Sequence, residues 1–336
     1  MTKAALLAGI VLSASIIGVA SAEEYQLGCS SPPFPVSTQK RPIDHVCPNR
    51  GDSDANSPKG QQNVVKNNLC RTGNPRTLTI ADFESVQSQA QAMNIPFGAD
   101  GFDANRVEHL PPDRASLSSG QLHVGGPPIR EGDKVQIVAF MDDPHPADVG
   151  PGTATRPPGE DVNCHKPDAA DNDIHINLVE TPAPPKALKS DSDAVKEQKR
   201  AARNVALCKA IVAEMIPHFR PDIFDPKFLI PIAKRKIPVR ISGQLFFDAS
   251  HRPCIGSTPQ DSSVRGSLWE IHPIYALDVC RHNTLHECSA SNESAWMPLN
   301  DWIASGVVTA AEFTASATAV AQEEDHEDRK DEHRGE

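Results

Sequence analysis

Residues 238–280 contain the stretch that decides the fold, which begins with PVRISGQLFFDASHRPC and ends with RGSLWEIHPIYALDVC. In the first run, apolar side chains occupy every second position, which is the period of a half-buried β-strand. The second run alternates in the same way, and one parity carries the apolar residues Trp269, Ile271, Tyr275, Leu277 and Val279. Both runs are therefore predicted to be strands with one face in a core.

Two ionisable side chains interrupt the second run. Glu270 and His272 lie on the opposite parity from Trp269, between Leu268 and Ile274. Because an unpaired charge is costly in apolar surroundings, each of them is expected to have a partner or a role.

Three further strands are predicted upstream, at residues 135–141, 173–179 and 210–216, because apolar residues are dense or alternate there. The proline-rich span 219–236 is expected to hold only short helical turns. Five strands with the longest helical interruption between the third and the fourth are typical of an OB-like barrel. The predicted fold is mainly β with peripheral helices, and an immunoglobulin-like sandwich remains the alternative.

Residues 1–22 are predicted to be a signal peptide. Thr2 and Lys3 precede an apolar run over 4–19, and Ala20-Ser21-Ala22 forms a small-x-small cleavage site. The run is shorter than the roughly 20 residues that a transmembrane anchor needs. The mature chain is expected in a periplasm or outside the cell after cleavage near Ala22, with no membrane span.

Eight cysteines and no CxxC pair favour disulfides over metal thiolates in an exported chain. Their connectivity stays open, although one of Cys254 and Cys280 is expected to form a disulfide that holds the two strands of residues 238–280. Residues 23–130 are predicted to form a Pro- and Cys-rich arm, held by disulfides, with a helix over 77–93 that packs on the core. The OB-like core is assigned to 131–302, and a short helix followed by a disordered acidic tail to 303–336.

The net charge of −11 makes nucleic acid an unlikely partner, because an acidic protein offers no positively charged surface to a phosphate backbone. A small or envelope ligand fits the charge better, although its identity stays open.

Candidate ligand-binding residues lie on the predicted second, third and fifth strands and in the turn after the fourth. In an OB-like barrel the third strand lies between the second and the fifth, and this sheet face is the usual ligand surface. Histidines and carboxylates side by side can bind a divalent metal or run acid–base chemistry. The candidates are Asp173, His175, Asn177, Glu214, Asp248, His251, Glu270 and His272, of which His175, His272 and Glu270 are the candidate ligands of a divalent metal cofactor.

Structural roles are the alternative for several of these residues. Glu270 could pair with Arg240 or Arg265, and His272 could be a hydrogen-bonded histidine at a strand end. Asp248 could accept backbone N–H bonds in a turn that leads to His251. Neither H-E-x-x-H nor a nucleophile elbow is present in the sequence.

The segments RISGQLFFDASHRPC, RGSLWEIHPIY, DIHINL and VAEMIPHFRP together resemble a set of uncharacterised secreted bacterial proteins. The shared patterns are R-x-S-G-x-L-x-x-D and S-L-W-E-I-H-P, and the resemblance covers roughly residues 77–302. It implies export but no activity, and no residue role can be transferred from it.

The sequence thus predicts a secreted or periplasmic barrel protein with a polar ligand-binding face. A metal-dependent hydrolase that resembles a phosphoesterase or nuclease, and that uses the Asp/His/Glu cluster, is the first alternative. A structural envelope protein is the second. Whether the protein is an enzyme stays open.

Overall fold

A computed structural model describes residues 23–32, 34–37, 39–98, 109–147, 152, 157–260 and 263–318 of the 336-residue chain. The predicted signal peptide, its cleavage site and the acidic tail from 319 onward lie outside the described residues. The strands are β1 (Arg76–Thr77), β2 (Leu122–His123), β3 (Pro128–Ile129), β4 (Lys134–Pro146), β5 (Ile174–Val179), β6 (Ile211–Met215), β7 (Pro238–Phe247), β8 (Trp269–Cys280) and β9 (Trp296–Pro298).

Five of these strands close into a barrel in the order β4-β5-β6-β8-β7, and β7 pairs back onto β4. All neighbours are antiparallel except β6 and β8, which run parallel with Ala213 opposite Ile271. This is the strand order of an OB-fold barrel, so the predicted fold class is confirmed. Closure by the β4–β7 pair excludes the sandwich alternative.

The core of the barrel is apolar, as the strand alternation predicts. Trp269 and Ile271 are fully buried, and Ile174, Ile176 and Ala213 join them in the same apolar cluster. The predicted burial of Trp269 and Ile271 is therefore confirmed.

The parity predicted for β8 is wrong at Tyr275. The β7–β8 register shifts on both sides of Gly243, so Ile274 packs in the barrel core while Tyr275 packs outside it against Tyr25 and Leu69. Pro273 has no N–H to donate to a ladder, and prolines within sheets are found at such bulges. Gly243 permits the close approach, since a Cβ there would lie 2.3 Å from the Pro273 carbonyl oxygen.

The helices are α1 (Pro58–Lys66), α2 (Ile80–Ala92), α3 (Ala115–Ser118), α4 (Asp193–Leu207), α5 (Pro226–Lys234) and α6 (Leu299–Ala304), and a further helix begins at residue 310. Thr79 caps α2 in a capping box with Asp82, so the helix predicted over 77–93 begins at Ile80. Among the described residues, none of the helices has the length and apolar character needed to cross a bilayer.

Two helices differ from the sequence prediction. The span 219–236 holds the regular helix α5, since Asp225 caps it, Pro226 occupies its first turn and Pro231 removes a single backbone bond. Helix α1 is not predicted from the sequence, because the side chains that it buries are polar, namely Gln62, Asn63 and Lys66.

Four disulfides staple the fold: Cys29–Cys70, Cys47–Cys164, Cys208–Cys254 and Cys280–Cys288. Cys29–Cys70 closes the arm on itself, and Cys47–Cys164 ties it to the loop that precedes β5. These two bonds confirm the disulfide-held arm. The Cys208–Cys254 bond joins the end of α4 to the loop between β7 and β8.

Candidate metal centre

The outward face of β5, β6 and β8 lies under the N-terminal arm. The end of helix α1 and the residues after it lie on this face, where the Lys66 carbonyl is 3.0 Å from His272 Nδ1 and the Asn68 carbonyl accepts a bond from Tyr275 Oη at 2.8 Å. The face that serves OB-fold proteins as a ligand surface is therefore closed to a large ligand in this conformation.

Strand register brings the polar residues of this face together. His175 on β5 lies opposite Glu214 on β6, and both alternate with core residues and so point outward. His272 reaches the same position from β8, which is the other neighbour of β6.

Glu214 lies at the centre of the group, with one imidazole at each oxygen. His175 Nε2 is 3.1 Å from Oε1, and His272 Nε2 is 2.8 Å from Oε2. Its side chain is only 1% exposed. Both histidines therefore share one carboxylate, in agreement with the prediction that they lie close together.

The contacts of Glu214 are ion pairs of irregular hydrogen-bond geometry. His272 Nε2 is directed at Asp173 Oδ2, 3.2 Å away, and also lies against Glu214 Oε2. Within the described part of the chain, neither Glu214 oxygen has a hydrogen bond of regular geometry, and Asp173 Oδ1 and Glu160 Oε2 accept none. Buried carboxylate oxygens without donors are unusual and require an explanation.

The ligand atoms form two groups that share Glu214. The inner trio consists of Asp173, Glu214 and His272, all buried, and the outer trio of Glu160, His175 and Glu214 is partly exposed. In each trio the three ligand atoms lie within 4.8 Å of one another. Together the five residues are called the Glu214 cluster below.

The orientation of His272 is fixed by a backbone contact. Its Nδ1 lies 3.0 Å from the carbonyl oxygen of Lys66, which can only accept a hydrogen bond. The Nδ1 atom therefore carries a proton, and in the neutral ring Nε2 has the free lone pair. Metal-ligating histidines almost always donate their other ring N–H in this way.

The side chain of Lys66 adds a buried cation at the end of α1. It is 6% exposed, and its Nζ lies 3.5 Å from Glu214 Oε2 and 3.8 Å from Asp248 Oδ2. Burial lowers the pKa of the ammonium, but Glu214 and further carboxylates raise it well above its usual value. Lys66 is therefore a permanent positive charge beside the cluster.

The two imidazoles are protonated at neutral pH in the metal-free cluster. Burial lowers the pKa of both rings, but Glu214 dominates and raises the pKa of His175 to about 9 and that of His272 to about 10. Although burial alone raises the pKa of Glu214, the two histidines and Lys66 hold it well below its usual value. The protons on His175 and His272 thus balance negative charge of the carboxylates in the cluster.

A second buried network continues from Lys66 towards the turn after β7. Asp248 Oδ1 accepts the backbone N–H of Ser250 at 2.9 Å, which confirms the turn interpretation. Its other oxygen lies 3.6 Å from His251 Nε2 and 3.9 Å from Arg265 Nη1. Burial, Glu214 and Asp248 raise the pKa of Glu270 to about 8, even though Arg265 Nη1 lies 2.9 Å from its Oε2.

The structure sorts the predicted site residues into three sets. Asp173, His175, Glu214 and His272 meet in the Glu214 cluster. Asp248, His251 and Glu270 belong to the adjoining network, where Arg265 is the partner of Glu270 and Arg240 instead pairs with Asp278. Asn177 lies on the outward face of β5 but opposite Val212, beyond the cluster.

Two residues of the site were not predicted. Glu160 comes from the long loop before β5, and its only sequence signals are the length of that loop and its position near Cys164. Lys66 comes from α1, where no apolar stripe marks a buried face.

Comparisons of the chain with protein-family models, with curated proteins and with solved structures found no match. The geometry of the Glu214 cluster is therefore the basis for inferring a function.

Proposed function

We propose that this protein binds a divalent transition-metal ion at the inner trio of Asp173, Glu214 and His272. The observation that supports this most strongly is the convergence of two buried carboxylates and one imidazole, whose ligand atoms lie within 4.8 Å of one another, while Asp173 Oδ1 accepts no hydrogen bond from the described residues. A cation held by these atoms would satisfy that oxygen, and the polar face predicted from the sequence would then have an ion as its ligand.

The donor set fits zinc or manganese. One imidazole nitrogen and two carboxylates are ligands for either ion, and three protein ligands leave a coordination position for a water molecule. The Lys66 carbonyl accepts the Nδ1–H of His272 and so orients the ring.

Charge balance also supports binding. A divalent ion adds two charges, and the imidazoles of His175 and His272 can release two protons as it enters. Metal uptake at neutral pH is therefore expected to release about two protons per ion and to tighten as the pH rises.

We also propose that the protein acts in a periplasm or outside the cell after cleavage near Ala22. The four disulfides support an oxidising compartment, and the N-terminal sequence supports export.

Metal-dependent hydrolysis, of a phosphoester for example, is the second candidate function. It is favoured by two carboxyls that titrate near neutral pH, Glu160 within the cluster and Glu270 in the adjoining network. Burial is the largest cause that raises the pKa of Glu160 to about 7 and that of Glu270 to about 8. Groups with such values are suited to general acid–base chemistry.

Equilibrium dialysis of chelator-stripped protein against Zn²⁺, followed by elemental analysis, tests the proposal. The wild type should retain zinc, and Glu214→Gln, which keeps the shape of the side chain, should lose it. His286→Gln is the matched control, because His286 is exposed and lies outside the cluster. Equal zinc retention by the wild type and Glu214→Gln would contradict the proposal. Hydrolysis of bis(p-nitrophenyl) phosphate by the zinc-loaded wild type, and not by Glu214→Gln, would establish the second candidate.

A further inference from the structure

We infer that a second divalent ion binds at the outer trio of Glu160, His175 and Glu214, with the Glu214 carboxylate bridging the two ions. This inference rests on the proposed function, since it adds an outer ion to the inner one.

The geometry of Glu214 supports a bridge between two ions. Its two oxygens face different imidazoles, with Oε1 3.1 Å from His175 Nε2 and Oε2 2.8 Å from His272 Nε2. A carboxylate that offers one oxygen to each of two ions is a bridging ligand, and paired ions in such centres lie about 3.5–4 Å apart.

The outer trio also has buried ligand atoms without hydrogen-bond partners. Within the described residues, Glu160 Oε2 is buried and has no hydrogen-bond partner, and His175 Nε2 and Glu214 Oε1 are buried and form no hydrogen bond of regular geometry. The Glu214 side chain is only 1% exposed, and its Oε1 lies 3.1 Å from His175 Nε2. Each residue of the outer trio offers one ligand atom, and these atoms lie within 4.8 Å of one another, which matches the requirements of a metal ion.

Glu160 is held in place by the loop that carries it. Its backbone N–H donates to Asn172 Oδ1 at 3.4 Å, and its carbonyl accepts the N–H of Asn163 at 3.0 Å. The Cys47–Cys164 disulfide ties the same loop to the arm. The third ligand of the outer trio is thus positioned by ordered structure.

The two ion positions differ in access to solvent. The side chain of His175 is 17% exposed, whereas that of His272 is fully buried. With three protein ligands, the outer ion has an open coordination position for water or for an oxygen-donor ligand such as phosphate. The inner ion is enclosed, so the outer ion is the one that meets a ligand from solution.

Manganese titration with detection by electron paramagnetic resonance tests the inference on the intact chain. The wild type should bind two Mn²⁺ ions, and its spectrum at saturation should show exchange coupling through the Glu214 bridge. His175→Ala should bind one uncoupled ion, and Glu214→Ala should bind none. His286→Ala, at an exposed histidine, should behave like the wild type.

The outcomes separate this inference from the proposed function. One ion in both the wild type and His175→Ala would overturn the outer position and leave the inner one intact. Two ions without exchange coupling would overturn the shared bridge. No binding by the wild type would overturn the proposed function itself. Retention of one ion by His175→Ala also shows that this variant is folded.

Discussion

The inward and outward faces of β5, β6 and β8 are built from alternating residues of the same strands, and both are shielded from water. Inward lie Ile176, Ala213 and Ile271, and outward lie Glu214 and His272, each 0% exposed. The inward face gains free energy by leaving water, whereas the outward face must compensate the desolvation of its charges. Burial therefore stabilises the apolar inward face, whereas it costs free energy at the charged outward face.

The compensation on the outward face comes from outside the barrel. Lys66 on α1 supplies a charge and a backbone carbonyl, and the loop before β5 supplies Glu160. Buried ion pairs rarely gain much stability over apolar packing, so the cluster is expected to add little to the free energy of unfolding.

The largest expected effect is on the inward face. Trp269→Ala should lower the free energy of unfolding by about 3–5 kcal/mol, because it removes a fully buried aromatic side chain from the core. Chemical denaturation measures the loss. Val307→Ala, at a side chain that is 50% exposed, is the control and should change the free energy by less than about 0.5 kcal/mol. Equal losses for the two variants would mean that Trp269 is not a core residue.

The next largest effect is stabilisation by zinc, which is expected to depend on the outward face alone. Zinc at about 100 times its dissociation constant should stabilise the wild type by about 2.7 kcal/mol, since the ion binds only the folded state. Glu214→Gln should lose this stabilisation, and Trp269→Ala should keep it. Denaturation with and without zinc makes the comparison. Zinc stabilisation that disappears in Trp269→Ala but persists in Glu214→Gln would place the ion elsewhere.

A smaller effect is expected from pH on the free energy of unfolding of the metal-free protein. The folded-state pKa values of His175 and His272 are about 9 and about 10, above the usual histidine value of 6.5, so their contribution to stability is present below pH 6.5 and is lost as the pH rises through those values. Glu270, with a pKa of about 8, changes stability in the same direction. The free energy of unfolding should fall by about 1.4 kcal/mol per pH unit for each extra bound proton.

Denaturation at several pH values between 6.5 and 10, with chelator present, measures this slope. His272→Gln should flatten it, while the exposed-site variant His286→Gln should not. A wild-type free energy that rises over this range would show that the imidazoles are not held in their protonated form.

The smallest predicted effect concerns the cation beside the cluster. Lys66→Met should tighten zinc binding by roughly tenfold, because it removes a positive charge whose repulsion of the ion is only partly screened. Lys59→Met is the control, since Lys59 lies about two turns earlier on the same helix and contacts Ser250 Oγ at 3.1 Å. Calorimetric titration of both variants provides the comparison, and weaker binding by Lys66→Met would show that Lys66 supports the ion site.

The sequence predicts the parts of the fold and of the site that depend on strand alternation. Asp173, His175, Glu214 and His272 can be placed on one face because they belong to three strands that the OB order makes neighbours. Tyr275 could not be placed correctly, because the bulges around Gly243 shift the parity without changing the apolar pattern. Glu160 and Lys66 reach the site through a long loop and a polar helix, which strand periodicity does not describe.

The most direct test of the central claim is the anomalous difference map of a zinc-soaked crystal at the zinc absorption edge. The account predicts a peak about 2.0–2.2 Å from His272 Nε2 and from carboxylate oxygens of Asp173 and Glu214. A map whose peaks lie only at exposed histidines such as His45 or His282, with none at Glu214, would contradict it.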